Sequence, residues 1–336
     1  MNKRFRSILT VALLAAALAA LVLFFRQRQA VPEPGPASGK LVVRFLDVGQ
    51  GDSELITLPN GETILIDSGD RGSPTVELLK KYGVKEITLI IATHPHSDHI
   101  GEMRDVMRAF KVHEFWDSGF NHTTKTYEDM LREIKDQRIK FATPKRGDLR
   151  TFGDVWLEVL NPDDSPPGDN PNNASIVVRL SFGDKKLLFT GDAEDYEAST
   201  KASAWEEMLE TEKDKLQADL LKAAHHGSSN GTTREVLDAV RPSIVTISCA
   251  AGNDYHHPHP RVMRMLEQDR NRINLYRTDL EGTITAVCDG HNIEMSSDKQ
   301  LAVDRLYLTG DEVAGTVASD GRGEGSRSNR TGRKAR

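Results

Sequence analysis

The segment that most restricts this chain is Ile87-Thr-Leu-Ile-Ile-Ala-Thr-His94-Pro-His96-Ser-Asp98-His99. An apolar run of strand length ends in a turn that gathers three histidines and an aspartate within six residues. On a strand, successive side chains part to opposite faces; in a turn they can converge. Neutral imidazole with carboxylate is the donor set expected for zinc, manganese or iron. Ile100, Met103, Val106, Met107 and Phe110 follow at helical spacing, so a helix capped by His99 is expected to pack on the sheet.

Two later segments supply further donors. The strand-like run Lys186–Thr190 ends in Gly191-Asp192, a carboxylate placed to bridge two metals, although Gly-Asp after a strand usually marks only a turn. Leu220–Ala224 leads into His225-His226-Gly227-Ser228-Ser229. Neighbours leaving a strand point to opposite sides, so one histidine is expected to ligate and the other to orient it or donate a proton. Eight of the 11 histidines fall at 94/96/99, 225/226 and 256/257/259, a grouping that scattered core histidines would not show. The two cysteines, Cys249 and Cys288, sit in apolar strand-like runs and read as small buried hydrophobes.

The ends differ from the middle. Residues 1–30 are expected to be a membrane anchor or signal sequence: Lys3, Arg4 and Arg6 precede Ile8–Phe25, 18 residues without a charge. As a helix that stretch would be about 27 Å long, close to a bilayer's hydrocarbon core. No good cleavage site follows, so an uncleaved single-pass anchor is the first reading and secretion after cleavage the second. The basic residues before the span place the body on the outer side. Residues 31–39 form a Pro/Gly-rich linker, residues 40–295 the folded body, and residues 296–336 an extension with a basic, low-complexity tail expected to be disordered. Helix and strand alternate through the body, with strands at Leu41–Leu46, Ser53–Leu58, Thr63–Ile66, Val155–Leu160, Ser175–Phe182 and Ile244–Ser248 and a helix at Pro74–Tyr82. Charge-rich Glu194–Leu221 reads as one long helix. The pattern suggests an α/β fold of two mixed sheets with helices outside. A net charge of −6 makes no global case for nucleic-acid binding.

Taken together, Asp47-Val-Gly-Gln-Gly-Asp52, Ile64-Leu-Ile-Asp67-Ser-Gly69, His94–His99, Asn172-x-x-Ser175, Gly191-Asp192, His225-His226-Gly-Ser, Tyr255-x-His257-Pro258 and Thr278-Asp279-x-x-Gly282 resemble the metallo-β-lactamase-like domain of the ComEC DNA-uptake proteins and their stand-alone relatives. The motifs run in the family's order from Asp47 to about Gly290. The resemblance implies a four-layer αββα metallo-β-lactamase sandwich with two divalent metals, zinc or manganese, at the sheet edges. His94 and His96 would hold the first metal, Asp98 and His99 the second; Asp192 would bridge, and His225 or His226 would complete the second site. The ligand is assigned here to His225. A further histidine usual at the first site is replaced by Asn172 and Asn173, so that site is expected to bind more weakly. Asp67 would fix a ligand histidine, and Asp52 and Gln50 would line the rim. Glu102 and His256 stand where the family has glycine, and no segment of these 336 residues is expected to supply the membrane channel of the full competence proteins.

The chemistry implied is attack by a metal-held hydroxide on a phosphodiester, with Asp98 in the reacting centre, His226 or His257 protonating the leaving oxygen, and Ser228 or Asn172 binding a non-bridging oxygen. Single-stranded DNA is the substrate the resemblance favours; cell-envelope phosphodiesters of the choline-phosphate type are the alternative. A third reading is a non-catalytic, metal-stabilised module of an envelope assembly. No dedicated protein partner is expected.

Overall fold

Apolar runs separated by glycine-containing turns set the strands. The computed structural model describes residues 39–163, 169–195 and 203–315. The expected anchor, the linker before Gly39 and the tail beyond Gly315 lie outside these; among the described residues no helix is long and apolar enough to cross a membrane.

In chain order come β1 (Leu41–Phe45), β2 (Glu54–Thr57), β3 (Thr63–Ile66), β4 (Glu86–Ala92), β5 (Lys111–Asp117) and β6 (Lys140–Ala142). Then follow β7 (Leu149–Phe152), β8 (Val155–Asn161), β9 (Val177–Phe182), β10 (Lys185–Phe189), β11 (Leu220–Lys222), β12 (Ile244–Ile247) and β13 (Asn274–Arg277), with β14 (Ile284–Cys288) and β15 (Ile293–Ser297) last. One sheet has the order β15-β14-β1-β2-β3-β4-β5-β6 and the other β13-β12-β11-β10-β9-β8-β7. Each is mixed: β3 to β6 and β10 to β13 run parallel, the rest antiparallel. Three apolar cores make four layers. Phe45, Ile66, Leu89 and Ile91 meet Leu180, Leu187 and Phe189 between the sheets. Ile90 and Ala92 face Met103, Val106, Met107 and Ile134 on one outer side. Leu188, Leu221 and Val245 face Trp205, Met208, Leu237 and Leu266 on the other. β4 is thus buried on both faces, which is why it reads as an unbroken apolar run. The expected αββα arrangement is what the chain adopts.

The parallel register brings the carboxyl ends of β3, β4, β10, β11 and β12 to one rim, the place where α/β sheets put their ligands. The helix expected after the histidines is split into Ser97–Ile100 and Met103–Ala109, and His96, not His99, caps the first piece. Ile100, Met103, Val106, Met107 and Phe110 are all buried as the spacing required.

Two expectations need correcting. Glu194–Leu221 is not one helix: helix covers Ala204–Thr211, a 3-10 turn Lys213–Lys215, and Leu220–Lys222 is a central parallel strand. Leu220 and Leu221 are apolar because neighbouring strands flank them, not because a helix presents them. Nor does packing stop at Met295. A 3-10 turn at Val303–Tyr307 and a helical turn at 310–315 lie against the body, with Leu306 and Val313 buried.

Candidate metal centre

Asp67 follows β3, His94 follows β4, Asp192 follows β10 and His226 follows β11, so backbone elements of both sheets deliver the donors. Asp98, His99, Asp192 and His226 each offer one ligand atom within 4.8 Å of the others, as do His94, His96 and Asp192. In the second pocket His99 Nε2 is 3.3 Å from Asp192 Oδ2 and 3.9 Å from Asp98 Oδ2. His226 Nε2 stands 3.3 Å from Asp98 Oδ2 and 3.6 Å from Asp192 Oδ1. In the first pocket His94 Nε2 is 2.9 Å from His96 Nδ1 and 3.8 Å from Asp192 Oδ2. Asp192 therefore faces both.

The backs of these rings are tied down. His99 Nδ1 meets Asp67 Oδ2 at 2.7 Å, and Asp67 is itself held by the Thr93 N–H at 2.8 Å and the Thr93 hydroxyl at 2.6 Å. His226 Nδ1 donates to Ser248 O at 2.8 Å and lies 3.2 Å from Asp52 Oδ1. The other Asp52 oxygen is paired with the fully buried Lys222 ammonium. A ring nitrogen anchored by a carboxylate leaves its partner nitrogen fixed toward a metal. His99 Nε2, His226 Nε2 and Asp192 Oδ1 are buried without a hydrogen-bond partner. Buried polar atoms are rarely left so, and a divalent cation between them satisfies all three. The residues present fit the metal chemistry.

Charge follows the same geometry. Burial opposes ionisation of Asp192, yet His99, His226 and His225 outweigh it and hold its pKa well below the usual range. Burial likewise pulls His226 down, but Asp192 and Asp52 prevail and raise it to about 10. His94, buried beside His99, is driven well below the ordinary histidine value.

At 225/226 the ring turned into the second pocket is that of His226, not the assigned His225. Both residues are in the left-handed region, φ 49° and 52°, so their side chains do not alternate as on a strand. His226 enters the second pocket; His225 stays one-fifth exposed, its Nδ1 2.8 Å from Glu194 Oε1 and its Nε2 3.6 Å from Asp192 Oδ2. His257 is packed among His225, His226, Tyr255 and His259. Burial first, then the neighbouring histidines, lowers its pKa to about 2. Asn172 donates to Glu194 at 2.7 Å, and the Ser175 hydroxyl receives the Asp192 N–H at 3.1 Å. Ser228 is bonded to Asn230 in the following turn. Gln50 receives the Ala250 N–H at 3.3 Å, and the Asp52 N–H donates to Asp98 O at 3.2 Å, so the loop grips the cluster. Gly51 permits that approach: a Cβ there would lie 2.1 Å from Asp98 O. Glu102 receives the Gly72 N–H at 2.6 Å.

Lys222, Glu194, Thr93 and His122, whose ring centre is 6.3 Å from that of His96, escape the sequence reading. A lysine interrupting the apolar run Leu220–Ala224 was the available signal for the first.

A model of the metallo-beta-lactamase superfamily matches residues 46–251. The ComE operon protein 3 of Bacillus subtilis is 30% identical over 262 residues, covering 72% of this chain and 32% of that protein. Competence protein ComA of Neisseria gonorrhoeae is 27% identical over 259 residues, covering 76% and 33%. Exodeoxyribonuclease YycJ of Bacillus anthracis is 30% identical over 98 residues, covering 28% and 35%. The aligned part thus spans about a third of each of these relatives. Motif order, two-sheet architecture and the matched model agree: the chain belongs to the metallo-beta-lactamase superfamily.

Proposed function

We propose that this chain is a metal-dependent phosphodiesterase whose substrate class is nucleic acid, single-stranded DNA first. The observation that carries this reading is the second pocket, where three buried donor atoms without partners face one another around Asp192. Asp98, His99, Asp192 and His226 would hold one metal and His94, His96 and Asp192 the other. Bound there, a metal pair polarises an ester oxygen and makes water nucleophilic at neutral pH. The chain's own groups do the rest. Asp67 and Asp52 orient His99 and His226, and Asp192 spans the two pockets. His225, partly open and backed by Glu194, is the group placed to move a proton at its Nε2. The names of two relatives, a competence protein and an exodeoxyribonuclease, support DNA as the substrate class. The apolar stretch at 8–25 suits tethering such an activity to a membrane with the body on its outer side.

The test is hydrolysis by the purified chain, with added manganese or zinc, of single-stranded DNA and of a nitrophenyl phosphodiester in parallel. Cleavage of both, lost in Asp98→Ala, is the expected result. No cleavage of either, or undiminished cleavage by Asp98→Ala, overturns the reading. Turnover of the small diester without DNA cleavage moves the substrate to envelope phosphodiesters.

A further inference from the structure

Tyr255 holds an exposed ring beside the metal centre. It is 60% exposed, the most of any large apolar or aromatic side chain among the described residues. Its ring lies nearly parallel to that of the buried His257, 5.7 Å between centres and 18° between planes. The His257 ring in turn lies 5.9 Å from that of His226, whose Nε2 faces the second pocket. Two ring spacings thus separate that pocket from an aromatic surface open to solvent. The loop beneath the ring is fixed from several sides. The Asn253 side chain accepts the N–H groups of Tyr255 and His257 at 3.2 and 3.0 Å, and donates to the carbonyls of Ala250 and His257 at 2.8 and 2.7 Å. His259 accepts the Ser229 N–H at 3.0 Å and donates from Nε2 to Tyr255 O at 3.2 Å. The chain after β15 closes the other side: the Gly310 N–H donates to Pro258 O at 3.1 Å, and Asp311 pairs with His256. A Cβ on Gly310 would lie 2.4 Å from His257 O, so the two backbones touch there.

A ring left in water forgoes the burial its surface would gain, and here the loop's hydrogen bonds aim it instead of hiding it. Its hydroxyl has no hydrogen-bond partner among the described residues. Charge shows which kind of contact a phosphodiester polymer lacks on this surface. The chain's −6 divides into +4 over residues 1–38, −14 over 39–315 and +4 over 316–336. A body at −14 repels a polyanion, and Lys222, the cation of the cluster, is buried against Asp52. A strand whose phosphate enters the pockets therefore gains from a contact that does not depend on charge. Stacking is such a contact: every nucleobase has a π face, and an aromatic side chain accepts any of them. A quaternary ammonium is instead held by a cage of aromatic rings. Among the described residues the one ring packed on Tyr255 is that of His257, a single layer suited to a flat partner.

We propose that Tyr255 is the stacking platform for a nucleobase that flanks the scissile phosphate, and that it is how this chain selects nucleic acid among phosphodiesters. This deepens the function proposed above and rests on it for the substrate class, but it is tested by binding. Affinity of the zinc-loaded full chain is measured for a short fluorescent oligothymidylate with hydrolysis-resistant phosphorothioate linkages, and for the same strand made without bases, across a salt series. Wild type is expected to prefer the strand with bases by about 5- to 150-fold, the range for one stacked base. Tyr255→Ala should abolish that preference. Because stacking is not Coulombic, the ratio of the two proteins' affinities should hold from low to high salt, with parallel log–log slopes. Tyr255→Phe, which keeps the ring and loses the hydroxyl, should keep the preference, and zinc titrations of the three proteins should coincide. Equal affinity of wild type for the two strands, no binding of either, or a preference that survives in Tyr255→Ala overturns the proposal. So does an equal loss on both strands or a displaced zinc titration in Tyr255→Ala, either of which would make the ring a prop for His257. So, too, does a fall in nitrophenyl phosphocholine turnover in Tyr255→Ala with the strand preference intact, which would assign the ring to a quaternary ammonium. If the preference depends on Tyr255 but neither DNA nor a nitrophenyl diester is hydrolysed, the proposed function fails and this inference stands. Hydrolysis of both by a wild type indifferent to bases is the reverse.

Discussion

In the half of the cluster built on His99 and His226, each ring has a buried carboxylate behind it: Asp67 at 2.7 Å and Asp52 at 3.2 Å. In the half built on His94 and His96, no carboxylate backs either ring among the described residues. His94 Nδ1 meets the Thr93 hydroxyl at 3.2 Å, and His96 is only partly buried, with His122 beyond it. A ring held by a carboxylate is both pre-oriented and more basic toward a metal. The difference teaches that support behind the ligands, and not only their number, ranks two sites that share one aspartate. The weaker first site expected from a missing histidine acquires a second physical reason here.

The comparison breaks most violently at the shared residue. Asp192→Ala should remove an oxygen from both halves, bring metal content below one ion per chain and lower diester hydrolysis by about a thousandfold or more. Elemental analysis showing two ions retained would end the bridging role. Next in size is the contrast between single ligands. His226→Ala should abolish the tighter of two zinc-binding events in a calorimetric titration and leave a weak one. His96→Ala should do the reverse. Equal effects on both events would erase the ranking. Smaller again are Asp67→Asn and Asp52→Asn, each expected to weaken only the tighter event, by about 10- to 100-fold. A shift in the weaker event instead would place the carboxylates behind the wrong half.

Much of this architecture was legible because its signals are local. β4 shows as an apolar run, the turn at His94–His99 as a density of donors, and Asp67, Asp98 and Asp192 as polar residues following strands. What the sequence hides is either a change of backbone hand or a long-range pair. Nothing in His225-His226 announces two successive left-handed residues, so the sequence leaves open which of the two faces the second pocket. Lys222 meets Asp52 across 170 positions, and Glu194 meets His225 only after β10 and β11 pair. Leu220–Leu221 was misread because a short buried strand and a helix's apolar stripe look alike over so few residues.

The smallest effect concerns the flank of the first half. Asp117, at the end of β5, takes the Gly119 N–H at 2.7 Å and the Tyr127 hydroxyl at 3.3 Å. The Tyr127 ring lies edge-on to His122, which lies edge-on to His96. This buried carboxylate therefore backs a tyrosine where Asp67 and Asp52 back imidazoles. Burial raises its pKa to about 6, and the two hydrogen bonds only partly oppose that. The folded state then holds a proton that the unfolded chain, titrating near 3.8, gives up. Stability from this residue is fully present below pH about 4 and is lost as pH rises to about 6. The loss is about 2–3 kcal/mol above that, at 1.36 kcal/mol per unit. Asp117→Asn keeps the accepting oxygen and removes the buried charge. In urea denaturation it should match wild type near pH 4 and exceed it by about 2 kcal/mol near pH 7.5, with zinc affinity unchanged at both events. A gap that does not vary with pH would show that Asp117 carries no charge-burial cost. A change in the weaker zinc event would make it a support of the first half after all, reached through Tyr127 and His122.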